Sequence, residues 1–425
     1  MNICGIDFGT SNSAVCLEGT GGGDVEMVRL EGGSTNIPSA IFFDTDENKV
    51  AFGQAGIDAF TAGQEGRLMR SLKSILGTEL IHEKTQIGAR HVSFEDILST
   101  FISHLKTTAQ TQRGAELSSV VMGRPVYFVD GNQSADTKAQ NKLEEMARKA
   151  GFKHVAFQFE PIAAALTYES TAQRDELALI ADIGGGTADF SVIKVGPGYR
   201  KKQDRSDDIL ANTGVRVGGT NLDTRLSLAC VMPHLGAQSE TVDKLSAGQR
   251  SKLPQSLFLD LATWHKIHML YNLKYERFIE SLAREVDDEG EFDRYVEIIK
   301  AQKGHLLAAM VEDAKIALSA ETQTTLALAK VCRNTDISIQ ARLATFEAAV
   351  SEEMGKIRTA INDCLRDANV KAQEITAIFL TGGSTAAPIV KRAICENFPQ
   401  GNIVSGDRFN SVGRGLGIEA LRVFS

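Results

Sequence analysis

The chain has 425 residues, 43% of them hydrophobic and 24% charged, with a formal net charge of −8. That composition belongs to a globular protein, and the length exceeds one ordinary core, so two or more lobes are expected. The acidic balance argues against nucleic acid or an anionic membrane surface as the main partner.

The N-terminus carries no basic n-region, and Asp7 interrupts its apolar run, so no signal peptide is expected. Ile3 to Val15 then reads as strand, Asp7, Gly9, small hydroxyl residues (Thr10, Ser11) and strand again. Residues 16 to 112 hold turn-rich pieces and short amphipathic segments, and Lys73 among them reads, by itself, as a solvated surface lysine. Val120 to Phe128 is a strand broken by Gly123-Arg124-Pro125. Ser134 to Gly151 is a helix capped by Ser134 or Asp136, with Leu143, Met146 and Ala150 on one face. The strand Val155–Phe159 ends at Glu160-Pro161, where Pro161 suits the first position of a helix running to Glu169. Glu160 reads equally well as an acid on the helix dipole.

Leu177 to Val195 is the stretch around which the chain is organised. An apolar run breaks at Asp182, passes Gly184, Gly185 and Gly186, and resumes at Phe190, which predicts a buried β-hairpin. Glycines let another molecule approach the backbone closely, and successive N–H groups in such a turn can converge on an anion. Asp182 and Asp189 flank Thr187, and two carboxylates beside an anion nest suit a cation such as Mg²⁺ bridging to phosphate. The Ile3–Val15 stretch echoes this pattern, so a duplicated architecture gripping a phosphate between two halves is expected.

Gly218-Gly219 opens a helix through Asp223. Leu257, Leu261, Trp264, His268, Tyr271, Tyr275, Phe278 and Leu282 follow spacings of four and three, and a second helical pattern starts at Phe292 after the turn 287–290, so an αα-hairpin is expected. His268 reads as a packed core histidine. Glu312, Lys315 and Ser319 share a helical face. Ala377–Thr381 is a strand running into Gly382-Gly383-Ser384 and a helix from about Pro388, a second candidate ligand edge. Gly413, Gly415 and Gly417 superficially resemble a dinucleotide fingerprint, but no βαβ unit surrounds them and close helix packing explains them better. The six cysteines form no CxxC and read as thiols of a reducing cytosol. No apolar stretch is long enough to span a bilayer, and a cytoplasmic protein is expected.

GIDFGTSNS at 5–13, FEPIAAALTYE at 159–169, DIGGGTADFS at 182–191, GGTNLD at 218–223, EDAKIALS at 312–319 and LTGGSTAAP at 380–388 stand in one order along nearly the whole chain. This set resembles the ATPase domain of DnaK-type heat-shock chaperones, within the actin-like ATPase superfamily, and is most similar to the stand-alone YegD-type branch. The resemblance implies a two-lobed α/β fold with a ribonuclease H-like sheet in each lobe and an ATP cleft between them. Lobe I would take 1–172 with a subdomain at about 37–112, lobe II 173–403 with a helical subdomain at about 217–350, and 404–425 would return to lobe I. It implies that Thr10 and the Gly184–Thr187 turn hold the β- and γ-phosphates of ATP, with Gly9, Ser11, Gly218 and Gly219 in the same binding set. Asp7 and Asp182 would hold Mg²⁺ through water, Glu160 in the outer shell, while Lys73 and Thr187 position the attacking water. Glu312, Lys315 and Ser319 would contact the nucleoside, with Gly382, Gly383 and Ser384 beneath it and Asp407 at its edge.

Three departures accompany the resemblance. The chain stops at Ser425, where these chaperones continue into a peptide-binding β-sandwich, so that domain is expected to be absent. The family's two adenine-stacking arginines correspond to Ile316 and Ala386. The stretch between Cys230 and Met310 is longer than its counterpart, and the helical region 233–310 is a candidate surface for a protein partner. The expected function is an ATP-binding, slowly hydrolysing, chaperone-like protein with nucleotide-driven lobe closure, binding ATP or ADP with Mg²⁺. An actin-like filament former and a sugar kinase are the alternatives within the superfamily.

Overall fold

A computed structural model describes residues 2–19, 23–129, 131–200, 202, 205–243, 249–288, 290–333, 335–399, 401–405, 407 and 410–424. The chain divides into two compact units, Met1–Gly219 with Gly355–Ala386 and Val390–Ser425, and Thr220–Met354 with Ala387–Ile389.

The first unit holds two sheets of one plan. In the first, the hairpin Ile3–Phe8/Asn12–Glu18 is antiparallel. Its leading strand pairs in parallel with Ser119–Arg124, which pairs in parallel with His154–Phe159, and its second strand pairs antiparallel with Val25–Met27. In the second sheet the hairpin Glu176–Ile183/Ala188–Val195 repeats this arrangement. Ala377–Thr381 and Asn402–Ser405 lie in parallel on one side and Ile209–Val215 antiparallel on the other. The duplication read from the two glycine turns therefore extends to five strands of each sheet, and the first sheet adds a short sixth, Asn36–Pro38, paired antiparallel with Asn12–Glu18. Parallel neighbours buried on both faces account for the near-continuous apolar runs of the leading strands.

The helix Glu160–Thr171 is buried on almost every side, which suits its run of three alanines. Ala163, Ala164 and Tyr168 share a core with Val121, Ile180, Ile193, Phe379 and Leu416. Leu416 belongs to the helix Ser411–Phe424, where Gly413, Gly415 and Gly417 are buried and serve close packing, as the sequence indicated. A second core gathers Ile6, Phe8, Val120 and Met122 with Ile97, Phe101 and Leu105 of the helix Phe94–Arg113 and with Leu143 and Met146 of Gln133–Lys149. That last helix is capped by Asn132, whose side chain accepts the Ala135 N–H at 3.1 Å, and not by Ser134 or Asp136. Asp136 is drawn inward by a buried cation instead.

In the second unit the expected αα-hairpin is formed by Leu273–Ala283 and Glu291–Lys300, with Lys300 donating to Glu280 Oε1 at 2.5 Å, but its first arm is shorter than the apolar period. Gln255–Ala262 ends at Thr263, a 3₁₀ segment covers Trp264–Leu270, and a separate helix begins at Leu273. Asn272 sits in extended conformation (φ −144°) and takes the Tyr275 N–H at 2.9 Å, a capping preference that outweighs the longer apolar period. Phe278 is 46% exposed as a result. His268 is half-buried in the 3₁₀ segment. Glu291–Lys300 forms the next helix, behind a turn in which Asp288 accepts the Gly290 and Phe292 N–H groups; Glu289 lies outside the described residues. No helix among the described residues is long and apolar enough to cross a membrane.

Candidate functional site

The two glycine turns, both in the first unit, face each other. A Cβ at Gly185 would lie 2.2 Å from Ser11 Oγ, and one at Gly186 2.9 Å from Thr10 Oγ1, so a side chain at either position would press on the facing turn. Each turn is fastened from outside its hairpin. The Ser39 hydroxyl donates to Gly9 O at 2.7 Å, and the Ser39 N–H to Ser11 O at 2.8 Å. Gly184 O accepts the Ser384 hydroxyl at 2.8 Å and the Gly219 N–H at 3.0 Å. Gly218 packs on Gly185, where a Cβ would lie 2.5 Å from the Gly185 carbonyl carbon. Gly382, with φ at +79°, tucks against the Ile183 carbonyl. Gly383 opens the 3₁₀ turn that carries Ser384.

Below the turns lies a cluster of charge. The Lys73 ammonium donates to Glu160 Oε1, and both residues are buried. Lys73 is delivered by a short 3₁₀ turn whose leading residue, Ser71, holds a left-handed φ of 57°, a strained position for a residue with a side chain. Arg216 ties that turn down by donating to Ser74 O at 3.1 Å. Asp182 and Asp189 are register partners across the hairpin, so their side chains share a face. Asp189 Oδ1 accepts the Val126 N–H at 2.8 Å, while its Oδ2 is buried with no hydrogen-bond partner among the described residues.

Burial, then the Glu160 charge, pushes the Asp189 carboxyl from 3.8 up to about 7, against the pull of a Thr187 hydrogen bond, the Val126 N–H and Lys73. Burial and Glu160 likewise raise Asp7 and Asp182. Lys73 is drawn down by burial but ends above its ordinary value, because Glu160, Asp7 and Asp189 favour its charge. Four carboxylates, Asp7, Asp182, Asp189 and Glu160, around the Lys73 ammonium leave a surplus of negative charge beside the two glycine turns. Among the described residues no group of three or more His, Cys, Asp or Glu side chains could hold a metal ion by itself. The donor set fits a cation that completes its shell with water and phosphate oxygens, as Mg²⁺ does.

This charge predicts a pH dependence. The folded chain retains a proton on Asp189 that the unfolded chain releases, so the associated stability is present below about pH 4 and is lost as pH rises towards 7. In chelator and without nucleotide, melting temperature should fall between pH 5 and 7, and Asp189→Asn should flatten that fall. An identical slope in wild type and variant would refute the assignment.

The remaining predicted residues are placed as follows. Glu312 and Lys315 lie on the helix Gly304–Ala317 of the second unit, and Lys315 pairs with Asp223 at 2.8 Å. Ser319 lies just beyond the helix, which ends at Ala317, in a turn where its N–H bonds Ile316 O at 3.0 Å and its hydroxyl reaches back to Lys315 O at 3.5 Å. Asp407, in the first unit, is exposed and leads into the helix Ser411–Phe424, with Oδ2 accepting the Asn410 amide at 2.6 Å. Three features of the site escaped the sequence. Ser39, the Arg216 tether and the Val126 N–H all act through backbone groups, and only the odd Gly-Arg-Pro break pointed towards the last.

The family model described as Hsp70 protein matches residues 3–244 and 276–420. Among curated proteins, the chain is 25% identical to the Chaperone protein DnaK of Thermotoga petrophila, over 98% of this chain and 59% of that protein. The chain thus spans well under two thirds of that relative's length. With a match on both sides of the interval 245–275 and a site assembled from the matched motifs, the chain belongs to the Hsp70 protein family.

Proposed function

We propose that the chain binds ATP with Mg²⁺ and hydrolyses it slowly, as a chaperone-type cytoplasmic ATPase whose nucleotide state is read by a protein partner. The observation that carries this reading is the Lys73–Glu160 pair set among Asp7, Asp182 and Asp189 beneath two abutting glycine turns. Phosphoryl transfer asks mainly for positioned charge. Thr10 and the Gly184–Thr187 turn would bind the phosphates, and Glu160 orients the Lys73 ammonium, which with Thr187 would hold the attacking water. Asp7 and Asp182 would hold Mg²⁺ through water, with Glu160 farther out; the ion, when bound, neutralises charge on the phosphate oxygens. The test is phosphate release from ATP in Mg²⁺ and in chelator. Equal release in both, or none in either, would overturn the reading.

Ile316, beside Lys315, is 59% exposed and offers the nucleoside an apolar contact only. Ile316→Arg should tighten ATP binding roughly fivefold, since a guanidinium stacked on adenine contributes on the order of 1 kcal/mol. Calorimetry decides it; unchanged affinity would mean that this position does not face the base.

The partner surface is assigned to region 233–310, of which 244–248 and 289 lie outside the described residues. Leu259, Met269, Leu273 and Phe278 are exposed there, the first three within the interval that the family match omits. Met269→Ser, Leu273→Ser and Phe278→Ser together should abolish nucleotide-dependent capture of a partner while leaving ATP binding intact. Undiminished capture would eliminate this surface.

A further inference from the structure

Arg124 ends the strand Ser119–Arg124, and its half-buried guanidinium meets four polar groups and the rings of Phe128 and Phe159. Nη2 donates to Asp136 Oδ2 at 2.7 Å and to Val126 O at 3.0 Å, Nε donates to Pro125 O at 3.0 Å, and Nη1 donates to the Gln140 side chain. The guanidinium also lies 5.1 Å from the centre of the Phe159 ring. Asp136 closes the loop by accepting the Phe128 N–H at 2.5 Å. One cation therefore folds the turn Pro125–Phe128 around itself. A planar fork with five donors does this, and a lysine cannot.

Two ends of this assembly reach the charged cluster. The turn offers the Val126 N–H to Asp189 at 2.8 Å, a hydrogen bond that reaches this carboxylate from outside its own hairpin. Phe159, on which the guanidinium stacks, is register partner to Arg124 and immediately precedes Glu160. Gly123, on the other side of Arg124, leaves only 3.2 Å between a would-be Cβ and Glu160 Cγ. The Asp136 carboxylate fixes the guanidinium, the guanidinium fixes the turn and the Phe159 ring, and these set the orientation of two acids that face Lys73.

Resting on the functional reading above, the geometry points to Arg124, anchored by Asp136, as a positioning residue for ATP hydrolysis that acts through Asp189 and Glu160 and touches no substrate. A purely structural ion pair would stabilise the fold without bias towards the chemical step. A positioning pair is coupled to the acid it positions.

The experiment is single-turnover hydrolysis by the full chain with Arg124→Lys, Asp136→Asn, Asp189→Asn and the double variant Arg124→Lys/Asp189→Asn, alongside calorimetric ATP affinity and thermal melts. Arg124→Lys should slow hydrolysis roughly tenfold, as loss of orientation does, with ATP affinity within about twofold of wild type, and Asp136→Asn, the milder change should Arg124→Lys unfold, should do the same. On the Asp189→Asn background, where only the route through Glu160 remains, the further loss should be clearly smaller than in wild type. A full, additive loss on that background, or a wild-type rate in both Arg124→Lys and Asp136→Asn, overturns the proposal while leaving ATP hydrolysis standing. A wild type that does not hydrolyse ATP overturns the functional reading and this proposal with it.

Discussion

Lys73→Ala is expected to lower ATP turnover by about two orders of magnitude, and Asp182→Asn by a similar factor, the usual loss on removing one positioned electrostatic group. The two changes act on opposite signs of the same cluster. Lys73 is the cation nearest Glu160 and one that favours the ionised forms of Asp7, Asp182 and Asp189. Without it, the acids lose their compensating charge, so Lys73→Ala should also weaken Mg²⁺-independent folding at neutral pH. Asp182→Asn removes one charge from an over-acidic site, so it should slow turnover while leaving apo stability at pH 7 equal or higher. Turnover in Mg²⁺ and melts in chelator measure the two halves separately. Turnover within twofold of wild type in both variants would remove this cluster from the reaction.

The hairpins were legible because an apolar run interrupted by small residues and resumed has few other readings, and burial on both faces kept the runs apolar. Asp7 and Asp182 could be picked out for the same reason: each is a charge set in a run, Ile3–Phe8 or Leu177–Ile183, that is otherwise uncharged. Lys73 could not, since nothing in Ser71-Leu72-Lys73-Ser74 distinguishes a buried ammonium from a solvated one; the Glu160 partner is 87 positions away. Asp136 looked like a helix cap because caps and buried ion-pair partners draw on the same residue types. Its competitor Asn132 won the cap and left Asp136 to Arg124. The helical face from Leu257 to Leu282 failed for the converse reason. Its period was real, but Asn272 offered the backbone a better local bond than a continued helix would.

The glycines of the last helix carry the second large expectation. Gly415→Ala should destabilise the chain by about 3 kcal/mol, towards the upper part of the range for overpacking a buried contact. A Cβ there would lie 1.7 Å from the Ala163 carbonyl oxygen, a backbone atom that cannot rotate away. Alanine's better helix propensity returns only about 1 kcal/mol, so the clash decides the sign. Gly413 provides the milder contrast: its nearest neighbours would be the movable end of the Met27 side chain at 3.0 Å and Ala14 Cβ at 3.1 Å, with no backbone atom so close. Gly413→Ala should therefore cost clearly less than Gly415→Ala. The contact also bears on the site. Ala163 lies one turn into the helix that begins with Glu160, and Gly417 packs against the strand that ends just past Asp7, where a Cβ on Gly5 would lie 2.4 Å from Gly417 N. A helix pushed outward at Gly415 must carry the Glu160 end of its neighbour with it. The surviving folded fraction of Gly415→Ala should then hydrolyse ATP more slowly per folded molecule than Gly413→Ala does. Denaturant melts give the stability difference, and turnover normalised to folded protein gives the rest. Equal melts for the two variants would show that the helices part freely and that the glycine stripe is not what sets their distance.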